Sequence, residues 1–325
     1  MHSLFAHHGG RPLFYIRDRL GVAPSYLLTL LGNMQPLMEV LLKMGANANI
    51  MAPPNVVSPL YYLMRIICAM SPQLLGATRE QVKRCVDIIC RHGADPNVIN
   101  AFGDNAMTLL LSSLSRWLYH GTDDPNRLEV LLTFTEDTLR LLLTHGLDPQ
   151  TVLRKNLKQF VIIFNSTILD ASFIRHLNQL FRHVIRTGGN PNLINLTELH
   201  CGGGGSGGIT RKYTVSYYLA RGLYIHARYH NQAAFEILDV FRNTLCQRHL
   251  SACMDGICAS LDEEFEPGAR STEIHTRIKS IAECPRSLKQ LCRIAVCGAV
   301  GWRLEADVRN LPLPAAICDY IYSLE

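Results

Sequence analysis

The chain has 325 residues, 48% of them apolar, and a net charge of +5 at pH 7. That length can bury a large core or a stacked array. The positive charge is scattered without a basic block, so nucleic acid is not implied, and no apolar run is long enough to span a membrane. Eleven cysteines at irregular positions, with no secretory signal in the first residues, read as reduced thiols in the cytoplasm or nucleus. The amphipathic pattern begins almost at once, which fits a fragment or a short isoform of something longer.

Along the chain one phrase recurs: Gly45-Ala46-Asn47-Ala48-Asn49, Gly93-Ala94-Asp95-Pro96-Asn97, Gly146-Leu147-Asp148-Pro149-Gln150 and Gly188-Gly189-Asn190-Pro191-Asn192. Each follows a strongly amphipathic stretch. Glycine there takes the left-handed φ that ends a helix, and the Asp/Asn-Pro-Asn after it forms a turn leading into an extended finger. Four such stops in order predict stacked helical repeats. They resemble the ankyrin repeat, whose second helix ends in a phrase of this kind. Ser58-Pro59-Leu60-Tyr61 stands where that family opens its first helix, and Asp104 to Leu110 occupies the next equivalent place. The glycines lie 42 to 53 residues apart, beyond the ankyrin period of about 33. The repeats therefore carry elongated helices or insertions, with Ser71–Gly76 and Gly121–Asn126 as candidates.

A fifth helical pair, Val215–His230 and Gln232–Cys246, lacks the terminal phrase and reads as an atypical or capping repeat. Ahead of it, 202–208 is Gly-Gly-Gly-Gly-Ser-Gly-Gly. It cannot nucleate structure and reads as a flexible loop, since a phosphate-binding loop would need a following Lys-Ser/Thr on a helix. The predicted organisation is about five degenerate repeats over 1–250, a linker over 251–283, and a tail over 284–325.

The tail begins with a predicted helix in which Leu288, Cys292 and Val296 recur every fourth residue on one face. Leu311-Pro312-Leu313-Pro314 can be neither a helix interior nor a central strand, and a last helical stretch, Ala316–Tyr322, follows. With Pro285 to Val296 ahead of the Leu-Pro segment, the tail looks like a SOCS box. Behind ankyrin-like repeats, this makes the chain similar to the ankyrin repeat and SOCS box proteins. The fold class expected is all-α, a helical repeat solenoid ending in a three-helix SOCS box.

The resemblance implies an elongin C contact through Ser287, Leu288, Leu291, Cys292, Ala295 and Val296, although helical spacing turns Leu291, with Ile294, toward the rest of the tail. It also implies that Leu311, Pro312, Leu313 and Pro314 select cullin-5. The partners expected are elongin C with elongin B, cullin-5 with its RING subunit, and an unidentified target protein. Cys297 departs from the family, which commonly carries a basic residue there. On the repeats, Tyr61, Trp117, Tyr217, Arg221, Tyr224 and Arg228 are candidate target-binding residues, competing with a role in packing between repeats. Cys246, His249, Cys253 and Cys258 crowd together, but at spacings unlike a structural zinc site. No catalytic residue, metal or cofactor is predicted. The expected function is a non-catalytic, substrate-recognising ligase adaptor, and the alternative is a scaffold or sequestering protein with no ligase coupling.

Overall fold

The computed structural model describes residues 24–51, 57–68, 70, 72–119, 125–164, 171–193, 215–229, 232–265 and 268–324. Among them every regular element is helical: α1 (Pro24–Lys43), α2 (Pro59–Cys68), α3 (Pro72–Arg91), α4 (Ala106–Tyr119), α5 (Pro125–Thr144), α6 (Pro149–Phe164), α7 (Ala171–Arg186), α8 (Val215–Arg228), α9 (Glu236–Thr244), α10 (Gln247–Glu264), α11 (Ala269–Glu283), α12 (Leu288–Ala299), α13 (Leu304–Asp307) and α14 (Ala315–Ser323). Five begin on proline, whose fixed φ and missing donor cost nothing at a first helical position. The Ser58 hydroxyl and the Asn105 side-chain oxygen accept from the N–H groups of Tyr61 and Thr108, at 3.2 and 2.9 Å. Both therefore cap a helix start. The glycine-rich run 202–208 and residues 121–124 of the second candidate insertion lie outside the described residues. Most of Ser71–Gly76 belongs to the 20-residue α3, so helix elongation accounts for that part of the long interval.

Two compact units are present, one of residues up to Leu110 with Asp137–His145, the other of Leu111–Glu136 with Gly146 onward. In the first, α3 packs on α1 and α2, and Leu60, Leu63, Met64 and Ile67 of α2 are fully enclosed. His145 at the end of α5 meets the Asp87 carboxylate at 2.9 Å, so this histidine has a partner beyond its helix dipole.

The glycine stops follow one rule. Gly45, Gly93, Gly146 and Gly188 have φ of 91°, 88°, 90° and 127°. At Gly45 and Gly93, the glycine N–H and the next N–H reach back to carbonyls three and five residues earlier. That pairing closes the helix end and requires the left-handed residue. An Asx turn follows each stop: the side-chain oxygens of Asn47, Asp95, Asp148 and Asn190 accept from the N–H two residues on, at 2.9–3.0 Å. The expected finger is missing after the third stop, because α6 starts at Pro149 within the phrase itself.

The last residue of the phrase links one hairpin to the next. In the first unit, Asn49 donates to the Gly93 carbonyl (2.6 Å) and accepts from the Asp95 N–H (2.8 Å). In the second, Asn192 donates to the Thr244 carbonyl (3.0 Å) and accepts from the Cys246 N–H (2.6 Å). Thr244-Leu245-Cys246 thus takes the place of Gly93-Ala94-Asp95 without a glycine.

The expected linker over 251–283 is corrected by α10 and α11. These two helices bury Leu250, Cys253, Ile257, Leu261, Ile274, Ile278 and Ile281. Both pack against α8, as α6 does. The acidic run Asp262-Glu263-Glu264 is the solvated end of α10, and Pro267-Gly268 precedes α11. The second unit also contains an edge-to-face aromatic chain across three helices, with Phe160 to Phe181 at 6.1 Å and Phe181 to Phe241 at 5.8 Å.

Candidate docking interface

The tail begins with α12, and Ser287 fixes its start. The Ser287 hydroxyl accepts from the Gln290 N–H at 3.2 Å, and the Gln290 side chain accepts from the Ser287 N–H at 3.0 Å. This reciprocal capping box satisfies two otherwise orphaned donors. The helix ends at Gly301, φ +63°, with Trp302 N–H on the Cys297 carbonyl at 2.8 Å. Trp302 is itself left-handed, φ +63°, and only 1% exposed. A left-handed non-glycine costs about 1–2 kcal/mol, whereas a buried indole gains roughly 4–6 kcal/mol at ~25 cal/mol per Å². Burial wins, and Trp302 anchors the turn into α13.

The faces of α12 are inverted relative to an ordinary core helix. Its fully enclosed residues are Arg293 and Cys297. Arg293 donates to the Tyr320 carbonyl at 3.5 Å, and its guanidinium lies 4.6 Å from the Tyr320 ring, which also meets the Lys289 ammonium at 3.9 Å. Burial pushes the Cys297 thiol up to about 12. Position 297 is thus a packed interior position of the tail, and the replacement of a basic residue does not alter a solvent-facing helix end. Outward stand Leu288, 77% exposed, Leu291, 47% exposed, and the exposed Cys292 and Ala295, with Val296 half-buried beside them. Spacings of three, four and seven residues put the first four on one stripe. Leu291 therefore belongs to the outward row rather than the inner packing face, because Arg293 and Cys297 fill that face.

Leu311–Pro314 forms a bent connection between the α13 segment and α14. The Leu313 N–H donates to the Leu311 carbonyl at 2.7 Å, and Pro314 (φ −54°, ψ 142°) stands at the start of α14. Pro312, Leu313 and Pro314 are exposed and Leu311 is half-buried. Cys318 lies beneath, its thiol within 3.4 and 3.7 Å of the Val308 and Leu313 carbonyls. Ile317, 46% exposed, extends the apolar surface one turn into α14. Neither tail motif includes Ile317, whose sequence signal is its place one turn beyond the second proline.

The family model that matches this chain is the SOCS box, over residues 284–321. Residues 284–321 are a SOCS box. No curated protein matches the chain. A SOCS box points to an elongin-binding adaptor of a cullin-RING ubiquitin ligase, a class of subunits that are typically not themselves catalytic. The SOCS box belongs to the second unit, and within that unit the Gln290 side chain donates to Asn243 of α9 at 3.3 Å.

The remaining candidates separate. Tyr61 is 9% exposed, with burial pushing its phenol up, so it packs within its own unit and cannot display its ring to a target. The side chain of Trp117 lies outside the described residues. On α8, Arg221 and Arg228 are exposed, and Tyr217 and Tyr224 are half-buried. Tyr217 meets Tyr218 edge-on at 5.4 Å, and Tyr224 stacks on Phe265 at 4.2 Å. Cys246 and His249 are 3.3 Å apart, while Cys253 is fully enclosed, its thiol pushed up to about 12 by burial. Among the described residues no three metal-ligating side chains converge, and no helix is long and apolar enough to cross a membrane.

Proposed function

We propose that this chain is a substrate receptor of a cullin-5 ubiquitin ligase. In this reading Leu288, Leu291, Cys292 and Ala295 enter a groove on elongin C, which carries elongin B. Ser287 holds the start of that helix, and Val296 flanks the contact. Leu311-Pro312-Leu313-Pro314 selects cullin-5 with its RING subunit. The helical hairpins are read as degenerate ankyrin repeats that capture a target protein, with Tyr217, Arg221, Tyr224 and Arg228 of α8 offering an aromatic and cationic surface. The receptor performs no bond chemistry and acts by holding target lysines near the charged conjugating enzyme. Its free thiols fit a reducing compartment, cytoplasm or nucleus.

The observation that carries this reading is the 77% exposure of Leu288 on a capped helix inside a SOCS box. Leaving a leucine in water forgoes about 1.5–3 kcal/mol of burial, which a helix-in-groove partner would recover. Co-purification with elongins B and C tests it. The Leu288→Ser, Cys292→Phe double variant is expected to lose them, while the wild type retains them. Equal recovery by both would overturn the proposal.

A further inference from the structure

The SOCS box is also gripped at a second place, away from both outward faces. Arg186 lies in the last turn of α7, immediately before the fourth glycine stop. Its Nε donates to the Tyr322 carbonyl at 2.9 Å and its Nη2 to the Ser323 carbonyl at 2.6 Å, and the guanidinium carbon lies 4.9 Å from the Tyr322 ring centroid. Those carbonyls belong to the end of α14, where acceptors have no donors within the helix. One planar fork bonds two of them and sets its charge at the negative end of the helix dipole.

The next two residues grip the other end of the same segment. Thr187 pairs with Arg303 as an isolated antiparallel bridge. Gly188 has φ +127°, and a Cβ there would lie 3.2 Å from Arg303 Cγ. Residues 186–188 thus hold the tail at 303, inside the SOCS box, and at 322–323, directly after it. The outward stripe of α12 and Leu311–Pro314 take no part in these bonds.

We propose that Arg186 is a positioning residue, a latch that fixes the orientation of the SOCS box on the hairpins of its unit so that ubiquitin reaches a restricted set of lysines. This rests on the ligase reading for its consequence, but not for the latch itself. A transferred group reaches only what the geometry brings within range, and a swinging tail would spread that range. Lysine at 186 would keep the charge but lose the two-pronged bond, so its effect should fall between wild type and glutamine.

The test uses the full chain with Arg186→Gln and Arg186→Lys. Dyes on unnatural amino acids replace the exposed Gln179 of α7 and Ala306 of the tail. Energy transfer between them gives a distance distribution, first in the free chain and then in the elongin complex. In a reconstituted ligase, mass spectrometry maps the ubiquitinated lysines of the receptor. Elongin affinity should stay within about twofold of wild type in both variants. The distance distribution should broaden with glutamine, less with lysine, and the ubiquitinated set should widen in the same order. Should glutamine unfold the chain by thermal melting, the lysine variant decides. Unchanged distributions and lysine patterns at intact elongin binding would overturn the latch. If the wild type itself fails to bind elongins, the ligase reading falls, and the free-chain distances alone decide whether the latch stands.

Discussion

Helices α7 and α12 are both strongly amphipathic, yet they use their apolar faces in opposite ways. α7 turns Phe173, Ile174, Leu177, Leu180, Phe181, Val184 and Ile185 into the core of its unit. α12 buries an arginine and a cysteine and leaves two leucines in water. The pair teaches that periodicity defines a face without saying what will cover it. For α7 the cover is the same chain; for α12 the cover proposed is a partner.

Substitution on the two faces should separate stability from binding. Phe181→Ala removes a ring that meets Phe160 and Phe241 edge-on. It should cost about 3–5 kcal/mol of stability, read by chemical denaturation, and leave the elongin affinity of the folded fraction intact. Leu288→Ser with Cys292→Phe should do the reverse. Elongin affinity should fall by about 100-fold or more, roughly 2.7 kcal/mol, read by calorimetry, with the melting temperature within about 2 °C of wild type. If the double variant melted much earlier, the α12 face would be core and the comparison would collapse.

A third substitution asks how closely the core of the second unit is packed. A Cβ on Gly222 of α8 would sit 2.3 Å from Phe164 Cδ1 and 2.5 Å from Cε1. Gly222→Ala should therefore destabilise by about 1–3 kcal/mol through overpacking. That outweighs the ~1 kcal/mol of helix propensity which alanine would otherwise gain. A neutral or stabilising result would mean that Phe164 can swing aside.

Much of this was legible in the sequence, for identifiable reasons. Gly45, Gly93, Gly146 and Gly188 could be read because a helix stop that needs positive φ selects glycine locally. The helix end near Cys246 could be read too, but not the phrase-like role of Thr244–Cys246, since its bonds come from Asn192, more than fifty residues away. α10 and α11 were obscured by Asp262-Glu263-Glu264 and Pro267-Gly268. Their apolar residues do recur at helical spacing, as in Cys253, Ile257 and Leu261. The two tail motifs stood out by order and distance. The inward turn of Arg293 depends on Tyr320, 27 residues on, which local spacing cannot disclose.

The smallest effect expected concerns pH and again sets core against tail. His226 of α8 is wholly buried, its Nε2 3.0 Å from the Phe164 carbonyl and its ring 5.2 Å from the Phe164 ring. Burial holds its pKa below the ordinary histidine value, although the hydrogen bond to Phe164 pulls the other way. The unfolded chain therefore takes up a proton near pH 6.5, where the folded chain still excludes it. With more protons bound in the unfolded state, stability rises with pH through that window and falls as pH drops from above 6.5 toward the lower folded value. One proton limits the slope to about 1.4 kcal/mol per pH unit. His226→Gln, which can still donate to the Phe164 carbonyl, should flatten the slope in denaturation series between pH 5 and 8. Leu288→Ser lies on a solvent face with no titrating role and should leave the slope as in wild type. An unchanged slope in the glutamine variant would place the pH response elsewhere in the unit.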